Sequence, residues 1–308
     1  MGQKRIVLAG GTGNIGKLLT LILVHLDYQV LILSRKEAKS SHPNIQYIKW
    51  DGQSLGNWIQ ELEGIDTLIN LSGKSIQCRF TAENKKELLQ SRIIPTRLLG
   101  EAIQKLDSPP RLWINFSGIS LFEGVEGLHN EESTSFGNTF LAHLTKEWEK
   151  TFFDVKTPDT KKVILRLSPV LSSKFGMFKE LLPLAKLGLG GKVGDGKQQI
   201  AWIHELDLVR LVIWIINHES PSGLYHACSP QPESNKEFMK NLRKAVGMPI
   251  GIPLPALFAR IGAYFKSVES DMLLLTNGVT TIHTLQEGFT HNYPTTQKAF
   301  KHLTKKEQ

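Results

Sequence analysis

The chain has 308 residues, 41% of them hydrophobic, and a formal net charge of +8 at pH 7. That length limits it to one large domain or two smaller ones, with ample apolar material for a core. Its lysines and arginines are scattered and no aromatic-basic module accompanies them, which argues against a nucleic-acid partner and fits attraction of an anionic small molecule.

In chain order, the apolar run KRIVLA (4–9) leads into a glycine loop, GGTGNIG (10–16), and then a helix through Leu26. Its apolar positions Ile15, Leu18, Leu19, Ile22 and Leu26 recur at helical spacing. Strand-like runs follow at 29–34, 45–50 and 66–72, a long helical pattern at 81–106, a strand at 111–117, a helix at about 139–153 and a strand at 161–168. Short apolar strands without polar alternation require a parallel sheet covered on both faces, and strand-helix alternation requires right-handed crossovers. The expected fold is therefore α/β, a doubly wound parallel sheet over residues 1–171. Beyond it come the apolar helix FKELLPLAKL, the glycine-rich GLGGKVGDG (188–196), a strand-like QQIAWIH, a helix at 206–217, a short strand at 223–227 and a helix at 236–246. The proline-rich IPLPAL (252–257) introduces further helices. Residues 172–308 read as a smaller, partly interleaved lobe on the substrate side, with segments around 198–228 returning to the first domain. The tail KKEQ is the stretch expected to be disordered.

No run reaches the roughly 18 apolar residues of a membrane helix, since LVRLVIWIIN is short and broken by Arg210, and MGQKRIVLAGG lacks the apolar core of a secretion signal. Cys78 and Cys228 have no spacing partners, so a reducing cytoplasm is the expected setting. Neither HExxH nor paired cysteines nor a GxSxG elbow occurs, which leaves no metal site or serine hydrolase to expect.

The spacing Gly10-x-x-Gly13-x-x-Gly16 has a physical reading. The first glycine permits the tight turn out of the strand, the second admits a pyrophosphate close to the backbone, and the third lets helix and strand pack closely. The helix that opens at Asn14 points free amides and its positive dipole end at the phosphates, so Gly10, Gly11, Thr12, Gly13, Asn14, Ile15 and Gly16 are expected to hold a dinucleotide. Where an NAD site would carry an acid for the ribose 2′-hydroxyl, the second strand ends LILSR. Ser34 and Arg35 stand there, and a guanidinium matches a 2′-phosphate, so NADP(H) is favoured, with Glu37 nearby as the competing acid. Asp51, after the third strand, is placed either for the adenine end or to cap the following helix.

Several ordered blocks, among them GGTGNIG, LSR (33–35), NLSGKSI (70–76), KKELLQSRIIPT (85–96), FSG (116–118), KEWE (146–149), LRLSPVLS (165–172), LGLGGKVGDGKQQIAWIHELDL (187–208) and EGFTHNYP (287–294), carry a resemblance. Together they are similar to the extended short-chain dehydrogenase/reductases and, more narrowly, to the atypical epimerase-family branch of the NAD-dependent epimerase/dehydratase superfamily, the SDR family 39U-like group. This resemblance implies a Rossmann-type fold, NADP(H), and further cofactor contacts at Leu71, Ser72, Gly73, Glu87, Arg92 and Val170. Relatives in the wider superfamily work with a Ser, Tyr, Lys constellation, the last two spaced Y-x-x-x-K on one helix face so that the lysine tunes the tyrosine's proton. Ser117 matches the serine. The matching helical stretch FLAHL puts Phe140 and Leu144 where tyrosine and lysine would stand, and no Y-x-x-x-K occurs elsewhere. Alternative proton donors are Lys74, Arg79, His143 and His204. The glycine-rich loop reads as a substrate lid with Lys192 and Lys197 available for a phosphate. Two functions follow: an NADP-dependent oxidoreductase or epimerase on a small, nucleotide-sugar-like substrate, as monomer or homodimer, or a catalytically silent NADP(H) sensor or scaffold.

Overall fold

A computed structural model describes residues 3–221, 223–265 and 269–305. Seven parallel strands form the main sheet: β1 (Arg5–Ala9), β2 (Gln29–Ser34), β3 (Ile45–Lys49), β4 (Thr67–Asn70), β5 (Leu112–Gly118), β6 (Lys161–Leu167) and, three short strands later in the chain, β10 (Leu224–Ala227). Their order is β3-β2-β1-β4-β5-β6-β10. Because β2 and β4 flank β1 on opposite sides, the winding reverses there and a crevice opens above the carboxyl ends of β1 and β4. The strands inside the sheet are largely apolar on both faces, while the edge strand β3 exposes Gln46 and Lys49. Ile6 and Leu8 of β1 point into one buried cluster with α1 (Asn14–His25), while Val7 and Ala9 point into the other with α2 (Ala82–Ile103). This double burial is why the strands read as continuous apolar runs.

Helix α3 (Phe140–Asp154) lies against α2, and Phe152 from it packs edge-on to Trp113 of β5. The remaining pieces are β7 (Val170–Leu171), α4 (Gly176–Lys186), β8 (Gln199–Ile200), β9 (Ile203–His204), α5 (Glu205–Asn217), β11 (Glu233–Ser234), α6 (Asn235–Ala245), α7 (Ala256–Phe265), α8 (Asp271–Leu274), α9 (His283–Gln286) and α10 (Thr296–Lys305). Helices α4, α6 and α10 gather Phe178, Phe238 and Phe300 into a third buried cluster. The expected single strand QQIAWIH is instead two dipeptides. β8 pairs antiparallel with β11 and β9 parallel with β7, and the intervening Ala201 and Trp202 are buried. Pairing with two different partners breaks the run. Of the tail KKEQ, Lys305 ends α10 and the last three residues lie outside the described ones. Among the described residues, no helix is long and apolar enough to cross a membrane.

Candidate functional site

The glycine loop begins at Gly10, whose positive φ of 74° is the left-handed region that favours glycine. A Cβ there would lie 3.0 Å from Cα of Ser72, so the loop is pressed against the end of β4. Gly13 caps α1 without any side-chain hydrogen bond, and the first turn carries no acid. Around Gly13 the space is open, a Cβ meeting only the Gly10 oxygen at 3.9 Å, whereas a Cβ on Gly16 would overlap the carbonyl of Gly11. Thr12, Gly13 and Asn14 are exposed and Ile15 is half-buried. A helix start with free amides, a positive dipole end and no side chain in the way fits a pyrophosphate.

At the end of β2, the buried Ser34 turns its hydroxyl inward to accept from the amide of Lys36 at 3.2 Å. Arg35 is exposed and has no ion-pair partner among the described residues. The competing acid, Glu37, is held at 2.9 Å by Lys49 of β3, and this partner keeps its carboxyl below the ordinary value. Asp51 organises its own turn. Its carboxylate accepts from the amides of Gln53 (2.8 Å) and Ser54 (2.9 Å) and from the Ser54 hydroxyl (2.6 Å), which lowers its pKa.

Beyond β4, Leu71 is half-buried, and Ser72 is buried with a hydroxyl that has no hydrogen-bond partner. Asn70, Thr96, Asn115 and Trp148 form a buried hydrogen-bonded floor beneath them, with Asn70 Oδ1 accepting from the Ser72 amide at 3.0 Å. Gly73 lies against Arg92 of α2, where a Cβ would come 3.2 Å from the guanidinium carbon. Arg92 is buried, donates to the carbonyls of Leu88 and Lys74 at 3.0 Å each, and has no carboxylate partner among the described residues. Burial lowers its pKa to about 10, so the group is still a cation at neutral pH. Lys74 is committed elsewhere: its ammonium bridges Glu87 and, at 2.7 Å, Asn84. Val170 is buried in β7, beside Ile203 of β9.

Ser117, next to last in β5, donates its hydroxyl to Glu149 Oε1 at 2.6 Å. Glu149 also takes two bonds from Arg166 of β6, at 2.9 and 2.8 Å. Arg166 continues to His226 of β10 at 3.3 Å, and the carboxylate of Glu131 accepts from the His226 and Ile282 amides at 2.9 Å each and from Thr281 at 2.6 Å. Every side chain from Ser117 to Thr281 in this network is buried. Sequence reasoning missed Glu149, Arg166 and Glu131. The readable signal was an arginine inside the apolar run VILRL and a glutamate on the helix stripe of Leu141, Leu144, Thr145, Trp148 and Phe152, since two opposite charges on buried faces need each other.

Phe140 sits edge-on to Phe80 at 5.1 Å under the Lys85 ammonium, and Leu144 is buried. Arg79 lies over the Tyr264 ring and 3.9 Å from Glu269, and His143 is exposed on α3. His204 is fully buried. It accepts from the Leu206 amide at 3.1 Å to cap α5, approaches His302 at 3.1 Å and stacks on Tyr293. The glycine-rich segment is pinned rather than hinged: Gly191 and Gly194 donate to Ile252 and Leu254, and Val193 donates to Asn235. Its Asp195, with Lys197 and Gln198 that follow, lines a cleft of about 800 Å³.

His226 makes this network sensitive to pH. Burial brings its pKa from 6.5 to about 4, so the fold holds it neutral while the unfolded chain protonates it. Its contribution is complete above pH 6.5 and is lost as the pH falls toward 4. Lowering the pH from 7 to 5 therefore weakens the fold through this group. Urea unfolding of wild type and His226→Gln at both pH values should show a smaller drop in the variant; equal drops would reject this assignment.

The chain matches the model of the NAD dependent epimerase/dehydratase family over residues 6–227. It is 30% identical over 301 residues to the epimerase family protein YfhF of Bacillus subtilis, covering 97% of each chain. It is also 30% identical over 305 residues to human epimerase family protein SDR39U1, covering 97% of this chain and 99% of the other. The crystal structure of human SDR39U1 (isoform 2) with NADPH superimposes with a TM-score of 0.84 at 28% identity, covering 98% and 99%. A nucleoside-diphosphate sugar epimerase from Corynebacterium glutamicum gives 0.77 at 25% identity, this chain spanning 58% of it. With the family model spanning most of the chain over the glycine loop and the parallel sheet, the chain belongs to the NAD dependent epimerase/dehydratase family.

Proposed function

We propose that this chain binds NADP(H) in the crevice above β1 and β4 and uses it for oxidoreduction or epimerisation of a small hydroxylated substrate of the nucleotide-sugar class. The observation that carries the reading is a charge imbalance. Two guanidinium groups, exposed Arg35 and buried Arg92, have no carboxylate partners among the described residues and flank a helix start that no side chain caps. A buried unpaired cation costs several kcal/mol unless an anion arrives. Arg35 would meet a 2′-phosphate and the amides of α1 the pyrophosphate, while the orphan Ser72 hydroxyl offers a polar contact between them. When bound, the nicotinamide gives or takes a hydride. Ser117 already donates its hydroxyl hydrogen bond to Glu149, so its lone pairs are left to accept from a substrate hydroxyl. Residues 172–308 are assigned to the substrate side, with Lys197 at the cleft rim available for a phosphate. Free Cys78 and Cys228 fit a reducing compartment such as the cytoplasm.

The second reading, a silent NADP(H) sensor, is favoured by Phe140 and Leu144, neither of which can move a proton. Both readings share one test. Fluorescence titration should give tighter binding of NADPH than of NADH, and Arg35→Ala should weaken NADPH by about 10–100-fold, the worth of charge-assisted hydrogen bonds. NADH binding should be unchanged. Failure to bind either dinucleotide, or an NADPH affinity indifferent to Arg35→Ala, would remove the assignment. Reduction of the bound cofactor by a sugar nucleotide separates the enzyme from the sensor.

A further inference from the structure

The four side chains that sequence offered as proton donors are engaged or misplaced: Lys74 by Glu87, Arg79 by Glu269 and Tyr264, His204 by the α5 cap, and His143 by exposure on α3. Ser117 has committed its hydroxyl hydrogen bond to Glu149. What remains near the carboxyl end of β5 is a carboxyl group that no motif drew attention to. A single turn of 3-10 helix, Ile119–Phe122, follows β5 directly, and Glu123 ends it. The residue is only 8% exposed, yet it lines an open cavity of about 500 Å³ together with Gly124, Val125, Gly137, Asn138 and Thr139.

We propose that Glu123 is the group that exchanges a proton with the substrate in this chain. The proposal rests on the reading of the protein as an NADP(H)-dependent oxidoreductase or epimerase.

Position is the first argument. Thr139, which lines the same cavity as Glu123, is the N-cap of α3, and the next residue is Phe140, where the superfamily's tyrosine would stand. The backbone is fixed on both sides of the cavity. The Gly137 amide donates to Leu121 at 2.8 Å, and a Cβ on Gly137 would lie 2.5 Å from the Glu123 carbonyl oxygen, so the loop before α3 is seated on the turn after β5. Glu123 thus presents its carboxyl where α3 begins, one residue from the vacated tyrosine position.

Charge is the second argument. Among the described residues no cation pairs with Glu123. The charged groups around it are Glu126 on its own loop, Asp271 on α8, and Lys146 on α3, whose ammonium is spent on the Gly137 carbonyl at 3.3 Å and on the Phe136 ring. Burial pushes the Glu123 carboxyl up and Asp271 adds to this, against the opposing pull of Thr139. A carboxyl raised in this way, facing a cavity, is suited to hold a proton in one step and release it in the next.

The step balances. In the oxidative direction the substrate's C–H bond breaks and its electron pair leaves with the hydrogen to NADP+. The O–H bond breaks at the same carbon's hydroxyl, its proton passes to the Glu123 carboxylate, and its electron pair becomes the second bond of the carbonyl. The carbon is oxidised and NADP+ is reduced. In the reverse direction the Glu123 acid returns the proton to the carbonyl oxygen.

The test uses the full chain, with Glu123→Gln as an isosteric variant that cannot exchange the proton and Glu123→Asp as one that can. Nicotinamide fluorescence first establishes that both variants bind NADPH as wild type does; wild type that binds none overturns the underlying functional reading. The NADP+-loaded proteins are then mixed with UDP-glucose, UDP-galactose or UDP-glucuronate and the absorbance of reduced nicotinamide is followed. Glu123→Gln should be slower than wild type by about 100-fold or more, with part of the rate restored in Glu123→Asp. Independently of any turnover, difference infrared spectra of 13C-glutamate-labelled wild type against Glu123→Gln should show one carboxyl whose acid form persists above the ordinary glutamate range. A Glu123 carboxyl that titrates like a surface glutamate, or a Glu123→Gln variant as fast as wild type, overturns the proposal. Wild type that binds NADPH and oxidises none of the three sugars also overturns it, while leaving the cofactor assignment in place.

Discussion

Gly16→Ala is expected to destabilise the fold by about 3 kcal/mol and to lower the thermal midpoint by roughly 5 °C, whereas Gly13→Ala is expected to leave stability almost unchanged. The two glycines lie three residues apart in one motif but perform different work. A Cβ on Gly16 would sit inside the carbonyl of Gly11, which is backbone and cannot swing away, so α1 must move off β1 and disturb Leu19 and Leu23 beneath it. At Gly13 the φ of −71° is open to alanine and the new methyl meets nothing closer than 3.9 Å. In the proposed function that empty space is where the cofactor's phosphate would approach. Gly13→Ala should therefore weaken NADPH at least tenfold while unfolding like wild type, and Gly16→Ala should lose both stability and affinity. Thermal unfolding without cofactor, followed by NADPH titration, separates the two. Equal effects of the two substitutions on stability would sink this division of labour.

How far the residues themselves foretold this arrangement depended on the range of the interaction. The β1–α1 unit was legible because strand burial, glycine spacing and helical periodicity are all local, and the structure places the helix at Asn14–His25 and the second strand at Gln29–Ser34. A cation at the end of the second strand was also legible as Arg35, but the position of Glu37 was not. Only the Lys49 contact from the neighbouring strand shows that this acid is turned aside. Non-local pairing likewise decided QQIAWIH, whose apolar run looked like one strand until two different partners divided it. His204 reads as an acid-base candidate by residue type alone, yet its ring nitrogens and its face are taken by Leu206, His302 and Tyr293, two of them about ninety residues away in the chain. Glu123 gave no sequence signal, because its placement on a cavity follows from the packing of two loops.

The second large effect is expected at the buried pair behind Ser117. Glu149→Ala should cost about 3–5 kcal/mol, because the Arg166 guanidinium would then be left buried between β5, β6 and α3 with no counter-charge. Arg166→Met should cost a similar amount by stranding the Glu149 carboxylate. The double variant Glu149→Leu/Arg166→Met removes both charges and should be far closer to wild type than the sum of the single losses, a coupling of at least ~2 kcal/mol. Denaturant unfolding of the four proteins measures it; simple additivity would show that the two charges do not depend on each other. The cycle also separates two roles of the pair. Besides tying β6 to α3, Glu149 fixes the direction of the Ser117 hydroxyl, which donates to it at 2.6 Å. In the double variant that hydroxyl is released and becomes a donor toward the crevice, while Ser117→Ala on its own should cost only about 1 kcal/mol. A double variant that recovers stability and NADPH binding but turns over a substrate alcohol more slowly would therefore locate the value of the pair in orienting Ser117 as an acceptor.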